Sequence, residues 1–368
     1  MQTKINNLVN ERLLSLDFFR GATMFLLVAE FTRLYVYFRA PELEGTLLYF
    51  LGHQFKHPDW IGITFWDCIH PFFVFIVGVA MPFSFAKRKE HGETQKQMFQ
   101  HTLKRSSLLL LFGWIIVCFD NGKIVVSFLN VLCSIAFWYL IAYLLMNTQV
   151  WMQISISFVL ILISELLYRF FPVDGFNQAF VMGHNFGEWI DIHLNMVNSG
   201  HWSFFNKVPS TAHIIWGVLT GKLLLDNKRS LKQKAILLFT CGVVMLMLGV
   251  GLSYFTPFIK RMASSSWVFF SGGAAFVVFA FCFWLIDIKK YRKGIHLFNI
   301  VGMNPPFIYI FVSLGGAKFV TNIVKPFFTS ILGWTNELTS NIVISLTTLI
   351  LLWYVCYWLY KKNIFIKL

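Results

Sequence analysis

The residues best suited to chemistry lie close together in His57-Pro58-Asp59-Trp60-Ile61-Gly62-Ile63-Thr64-Phe65-Trp66-Asp67, just before the apolar run Pro71-Phe72-Phe73-Val74-Phe75-Ile76-Val77-Gly78. Histidine is the side chain that takes up and releases protons near neutral pH. His57 can serve as a general base toward an acceptor, or as a nucleophile that is itself acylated. The alternative is an ordinary histidine at a membrane interface. Asp67 can orient the imidazole and stabilise its charged form. It also completes a Thr64-x-x-Asp67 capping box, and an acid in a first helical turn favours the helix dipole. The sequence leaves both readings open.

Other ionisable and polar residues carry similar pairs of readings. Asp17 and Arg20 lie three apart and share a helix face. They form a structural ion pair, or Arg20 meets a phosphate through its paired donors. Glu30 and Arg33 are also three apart and fall within an apolar segment, where charged groups face a bundle interior or a wet cavity. The basic stretch 87–105, ending in Lys104 and Arg105, is a positive-inside signal with a secondary capacity to attract an anion. Gly302-Met303-Asn304-Pro305-Pro306 interrupts an apolar run, because each proline removes a backbone donor. Asn304 then serves a ligand or the freed carbonyls. His184, His193 and His201 match no zinc spacing, so no metal is expected.

The elements that position these residues are transmembrane helices. The 368 residues are 57% hydrophobic, 18% aromatic and 13% charged, against about 25% charged in soluble domains. The expected fold is an all-α, polytopic membrane helix bundle forming a single domain over 1–368. Spans need ~17–25 apolar residues. Ten are predicted, near 13–38, 65–86, 104–119, 124–146, 150–171, 210–226, 235–256, 265–287, 296–319 and 342–360. The third and fourth meet so tightly at Asp120-Asn121-Gly122 that they must form a hairpin.

With the N-terminus inside, 21 of the 31 Lys and Arg fall in or beside inner segments, so both termini are expected in the cytoplasm. The net charge of +14 then reflects this bias, not nucleic-acid binding. Two long outer loops result, at about 39–64 and 172–209. The six cysteines are scattered through apolar stretches and form no CxxC pair.

Arg12-Leu13-Leu14-Ser15-Leu16-Asp17-Phe18-Phe19-Arg20-Gly21 resembles the opening motif of the heparan-α-glucosaminide N-acetyltransferase family and its bacterial DUF5009-type relatives. The His57-x-x-Trp60-x-Gly62-x-Thr64-x-x-Asp67 segment is similar to the same family's signature. So are Asn130-Val131-Leu132, Gly302-Met303-Asn304 and Tyr360-Lys361-Lys362-Asn363-Ile364-Phe365. The matches keep their order along almost the whole chain and are weakest over 150–210.

The resemblance implies an acetyltransferase that carries the acetyl group of cytoplasmic acetyl-CoA to an amino sugar or glycan on the far side of the bilayer. It places the family's active-site histidine on His57 and an acidic residue of its site on Asp67. Two departures stand out. Cys133-Ser134 replaces a Gln-Arg pair, and Phe31, with Glu30 beside it, replaces an asparagine. The expected donor-site residues are Arg12, Arg20, Lys104, Arg105 and Asn130. Glu30, Trp60 and Asn304 are expected to meet the acceptor, with Asp17 structural. The expected setting is a bacterial inner membrane, and the resemblance admits a homodimer. The rival reading is a transporter or flippase for a sugar-containing envelope precursor. It is disfavoured because no paired broken helices mark two corresponding halves.

Overall fold

A computed structural model describes residues 13–196 and 200–366; Arg12 lies outside the described residues. Among the described residues the structure is helical, with no strand. The helices are α1 Leu14–Phe31, α2 Leu34–Phe38, α3 Leu47–Gln54, α4 Trp66–Glu90, α5 Gln95–Asn121, α6 Val131–Met146, α7 Val150–Phe170 and α8 Phe186–His193. They continue with α9 Lys207–Leu225, α10 Leu231–Ser253, α11 Ser265–Phe283, α12 Ile295–Gly302, α13 Pro305–Ser313, α14 Gly316–Ile331 and α15 Glu337–Lys361.

Seven described helices are long and apolar enough to cross a membrane, and the pair α12 and α13 makes an eighth if it is one bent span. Helix α1 accounts for the first predicted span. It is 18 residues long but carries Asp17, Arg20 and Glu30. Helix α6, at 16 residues, accounts for the fourth. Each of the ten predicted spans therefore corresponds to a helix or a bent pair.

Three details differ from expectation. The fourth span starts at Val131 instead of 124. Helix α5 ends at Gly122, which adopts φ 63, and an irregular segment follows until the Asn130 side chain caps α6 by accepting from the Leu132 N–H at 2.8 Å. The hairpin is present, closed by Trp114 Nε1 donating to the Val125 carbonyl at 2.9 Å. Arg33 is not inside the first helix. The helix ends at Phe31, Arg33 adopts φ 65, and its exposed guanidinium lies over the Tyr37 ring. Finally, the stretch between the last two predicted spans folds as α14. Its apolar residues Phe319, Ile323, Phe327 and Ile331 recur every fourth position and are all exposed, with Lys318 and Lys325 on another face.

The helices group into two compact units. Among the described residues, one holds 13–16, 58–63, 70–196 and 200–291. Here α4 and α9 cross with their backbones in contact. A Cβ on Gly78 would strike the Ile214 carbonyl, and one on Gly217 would strike the Phe75 carbonyl. Small residues at such crossings let helices approach without the hydrophobic drive available in water. A separate cluster of Tyr168, Phe186, Ile259 and Met262 gathers Trp60, Trp189 and Phe205 around it.

The other unit holds 17–57, 64–69 and 292–366. A Cβ on Gly21 would strike the Phe298 carbonyl of α12. Ser345 Oγ on α15 donates to the Thr32 carbonyl at 2.8 Å. Helices α12 and α13 meet at 72°, where Pro305 and Pro306 open the new helix at positions that need no backbone donor.

Candidate active site

The chain reaches His57 from α3. Thr46 caps that helix by accepting from the Tyr49 N–H at 3.3 Å. Arg39 closes its far end, placing Nη1 3.3 Å from the Gly52 carbonyl and 3.4 Å from that of Phe55. A cation at the C-terminal end of a helix complements the dipole. Phe55 stacks on Tyr35 with centroids 4.0 Å apart, and both rings pack against Trp66, the first residue of α4. This aromatic group locks the stretch before His57 to the start of the helix that carries Asp67.

His57 Nδ1 and Asp67 Oδ1 are 2.7 Å apart. Asp67 is fully buried, while the His57 side chain keeps 32% of its exposure. The other carboxylate oxygen, Oδ2, accepts from the Thr64 N–H at 3.0 Å. The Thr64 hydroxyl lies 3.3 Å from Oδ2 and 2.9 Å from the Lys56 carbonyl. Both sequence readings of Asp67 therefore coexist, one on each oxygen. Only the carboxylate half of the capping box forms. An ionised carboxylate only accepts, so the shared proton sits on Nδ1. A buried carboxylate bound on both oxygens cannot turn, so the imidazole plane is set with it.

The remaining candidates fall in several places. Asp17 Oδ1 and Arg20 Nη2 pair at 2.7 Å. Glu30 is partly buried, near the end of α1. Lys104 is exposed on α5. Arg105 lays its guanidinium 4.6 Å from the Tyr139 ring centroid, and its Nε is buried without a hydrogen bond. Asn130 is the α6 cap described above.

Trp60 is an anchor in the first unit, its Nε1 donating to the Phe180 carbonyl at 2.6 Å. Asn304 is fully buried. Its Nδ2 donates to the Ile364 carbonyl at 3.0 Å, and its Oδ1 accepts from the Ile366 N–H at 2.8 Å. The amide is thus committed to the C-terminal tail, and two motifs far apart in sequence are bonded to each other. In the loop near 172–209, His201 Nδ1 meets Glu188 Oε1 at 2.7 Å and His193 lies on Trp189. No group of three metal-ligating side chains occurs among the described residues.

Two side chains escaped the sequence reading. His70, three residues beyond Asp67 on α4, packs its ring against Trp138 at 5.3 Å. Lys207, which opens α9, is buried. The only signal for Lys207 was a lysine at the margin of a predicted span.

The helices are long and apolar enough for a multi-pass membrane protein, and one of them carries the aspartate of a histidine–carboxylate pair. The family model for heparan-alpha-glucosaminide N-acetyltransferase, catalytic, matches residues 12–250, and the chain belongs to that family. The matched range includes His57 and Asp67; Gly302–Asn304 and the C-terminal motif lie beyond it. A search of the curated proteins finds no match.

Proposed function

We propose that this protein transfers an acetyl group from cytoplasmic acetyl-CoA to an amine or hydroxyl of a sugar or glycan on the opposite side of a bacterial inner membrane. The observation that carries the reading is the His57–Asp67 pair, with Asp67 buried and its two oxygens divided between the imidazole and Thr64. Family membership supplies the reaction class.

Acetyl-CoA brings an activated thioester carbonyl and an anionic nucleotide. The basic residues Lys104 and Arg105 are suited to its phosphates. Arg105 fits this role because its Nε is buried without a hydrogen bond while the guanidinium plane rests on Tyr139. His57 Nε2 then removes the acceptor proton as the acceptor attacks the carbonyl, or attacks the carbonyl itself and passes the acetyl group on; in both routes the C–S bond breaks, CoA leaves as the thiolate, and the acceptor's proton ends on its sulfur. In both routes imidazolium character develops, and Asp67 stabilises it through Nδ1–H at 2.7 Å.

The test is CoA release from acetyl-CoA by the detergent-purified protein, with glucosamine as trial acceptor. Positioned general bases contribute about 10²–10⁴-fold, so His57→Ala should lose at least about a hundredfold in turnover while keeping the wild-type melting temperature. Wild-type turnover in a folded His57→Ala protein would end this reading. No acetyl-CoA binding by the folded wild type would make the transporter reading the leading one.

A further inference from the structure

Lys207 is only 4% exposed and lies within a helix apolar enough to span the membrane. Lysine is almost never this buried without a partner, and ionisable groups at membrane depth are costly. Yet among the described residues its Nζ makes no hydrogen bond and no ion pair. It rests 4.2 Å above the Phe204 ring centroid, so the ammonium is folded back over the turn that precedes α9.

The groups around it are otherwise engaged. Asp191 and Cys133 are the titratable groups that act on it electrostatically. Asp191 Oδ1 accepts from the Phe204 N–H at 2.9 Å, and Cys133 Sγ points to the Leu110 carbonyl at 3.6 Å. The Lys207 carbonyl accepts from Trp138 Nε1 at 2.7 Å and from Thr211 Oγ1 at 2.8 Å. The same Trp138 ring packs on His70. The backbone at Lys207 is therefore fixed on both sides, and the three donors of its ammonium are unspent.

We infer that Lys207 is a binding position for a ligand oxyanion, a phosphate, sulfate or carboxylate oxygen that accepts from its ammonium. A buried cation with unspent donors gains most from a charge-assisted bond to an anion. The anion can belong to a sugar acceptor or to a lipid headgroup, and the chemistry at Nζ is the same. The assignment does not depend on acetyl transfer, because binding alone tests it.

The experiment measures binding to the full-length detergent-purified protein by titration calorimetry, without acetyl-CoA. Glucosamine 6-phosphate is compared with glucosamine, and dihexanoyl phosphatidylglycerol with dihexanoylglycerol. In the wild type, at least one phosphate-bearing probe should bind about tenfold or more tighter than its phosphate-free partner, since hydrogen bonds to charged groups are worth that much. The pair showing the preference identifies the source of the anion. Lys207→Met should abolish the preference and Lys207→Arg should retain it. Because an unpaired buried charge costs stability, Lys207→Met should also melt no lower than wild type. Equal binding of both members of each pair to the wild type would overturn the assignment. So would a preference that survives in Lys207→Met, or a fall in its melting temperature, which would assign the charge to folding.

Discussion

Replacing Asp67 by asparagine keeps the volume and changes what one oxygen can do. In the native site Oδ1 accepts from His57 Nδ1–H at 2.7 Å and Oδ2 accepts from the Thr64 N–H at 3.0 Å. An asparagine has one oxygen for these two places. If its NH₂ faces Thr64, two donors confront each other in a fully buried position, at a cost of about 1–3 kcal/mol. If the NH₂ faces His57 instead, Nδ1 must accept, so the ring proton moves to Nε2 and the base is lost. The second arrangement is preferred by that cost, which leaves the active tautomer about 5- to 150-fold rarer at 1.4 kcal/mol per factor of ten. Loss of the carboxylate charge opposite a developing imidazolium removes about 1.5–3 kcal/mol more. Together these predict a fall in kcat of about 10²–10⁴-fold, with little change in KM for acetyl-CoA. The assay is CoA release at saturating substrates, beside a thermal melt. Thr64→Val is the companion variant. It keeps the backbone N–H bond to Oδ2 and should lose less than about tenfold, since what goes is the hydroxyl, with its 3.3 Å contact to Oδ2 and its 2.9 Å bond to the Lys56 carbonyl. A folded Asp67→Asn protein with kcat within about threefold of wild type would refute the reasoning.

Arg105→Ala should raise KM for acetyl-CoA about tenfold or more while leaving kcat within a few-fold, because it removes ground-state binding of an anion; initial-rate kinetics in acetyl-CoA check this. Asn304→Leu should lower stability by about 1–3 kcal/mol through two orphaned backbone groups of the tail, visible as a drop in melting temperature, with acceptor KM unchanged in whatever protein remains folded. Gly217→Val should prevent folding, since its side chain would strike the Phe75 carbonyl at the α4–α9 crossing; loss of a monodisperse peak in size-exclusion chromatography reports it.

The helical architecture was readable because the chain repeats one simple signal. Runs such as Leu231–Ser253 are apolar beyond a basic first turn, so composition alone marks them. Boundaries were less readable where polar contacts decide them. Nothing in Arg33 announces a left-handed residue, and Lys123–Leu129 is apolar enough to be taken for helix. Helix α14 was missed because it is too short and too polar on one face to resemble a span. Its fourfold-spaced apolar stripe was nonetheless present in Phe319, Ile323, Phe327 and Ile331. The site divides the same way. The His57–Asp67 pairing spans ten residues and is local, so spacing and residue type suggested it. Asn304 and Lys207 depend on partners 60 or more residues away, and no pattern near them discloses the tail at Ile364 or the indole of Trp138.

A sequence does not show which oxygen of Asp67 goes where, so helix capping and imidazole orientation stand as alternatives in it. The structure gives them separate oxygens, and that division has a consequence for the chemistry. The bond from Thr64 belongs to helix initiation, so it forms whenever α4 forms. The bond to His57 depends on the stack of Tyr35, Phe55 and Trp66, which brings the end of α3 to the start of α4. The carboxylate is thus held at the helix start independently of the imidazole, and little ordering is left for substrate binding to supply. A perturbation of the stack should therefore act differently from one at Thr64. Loss of the Phe55 ring frees His57 while leaving Asp67 held, which lowers kcat through misplacement of the base without exposing an uncompensated charge.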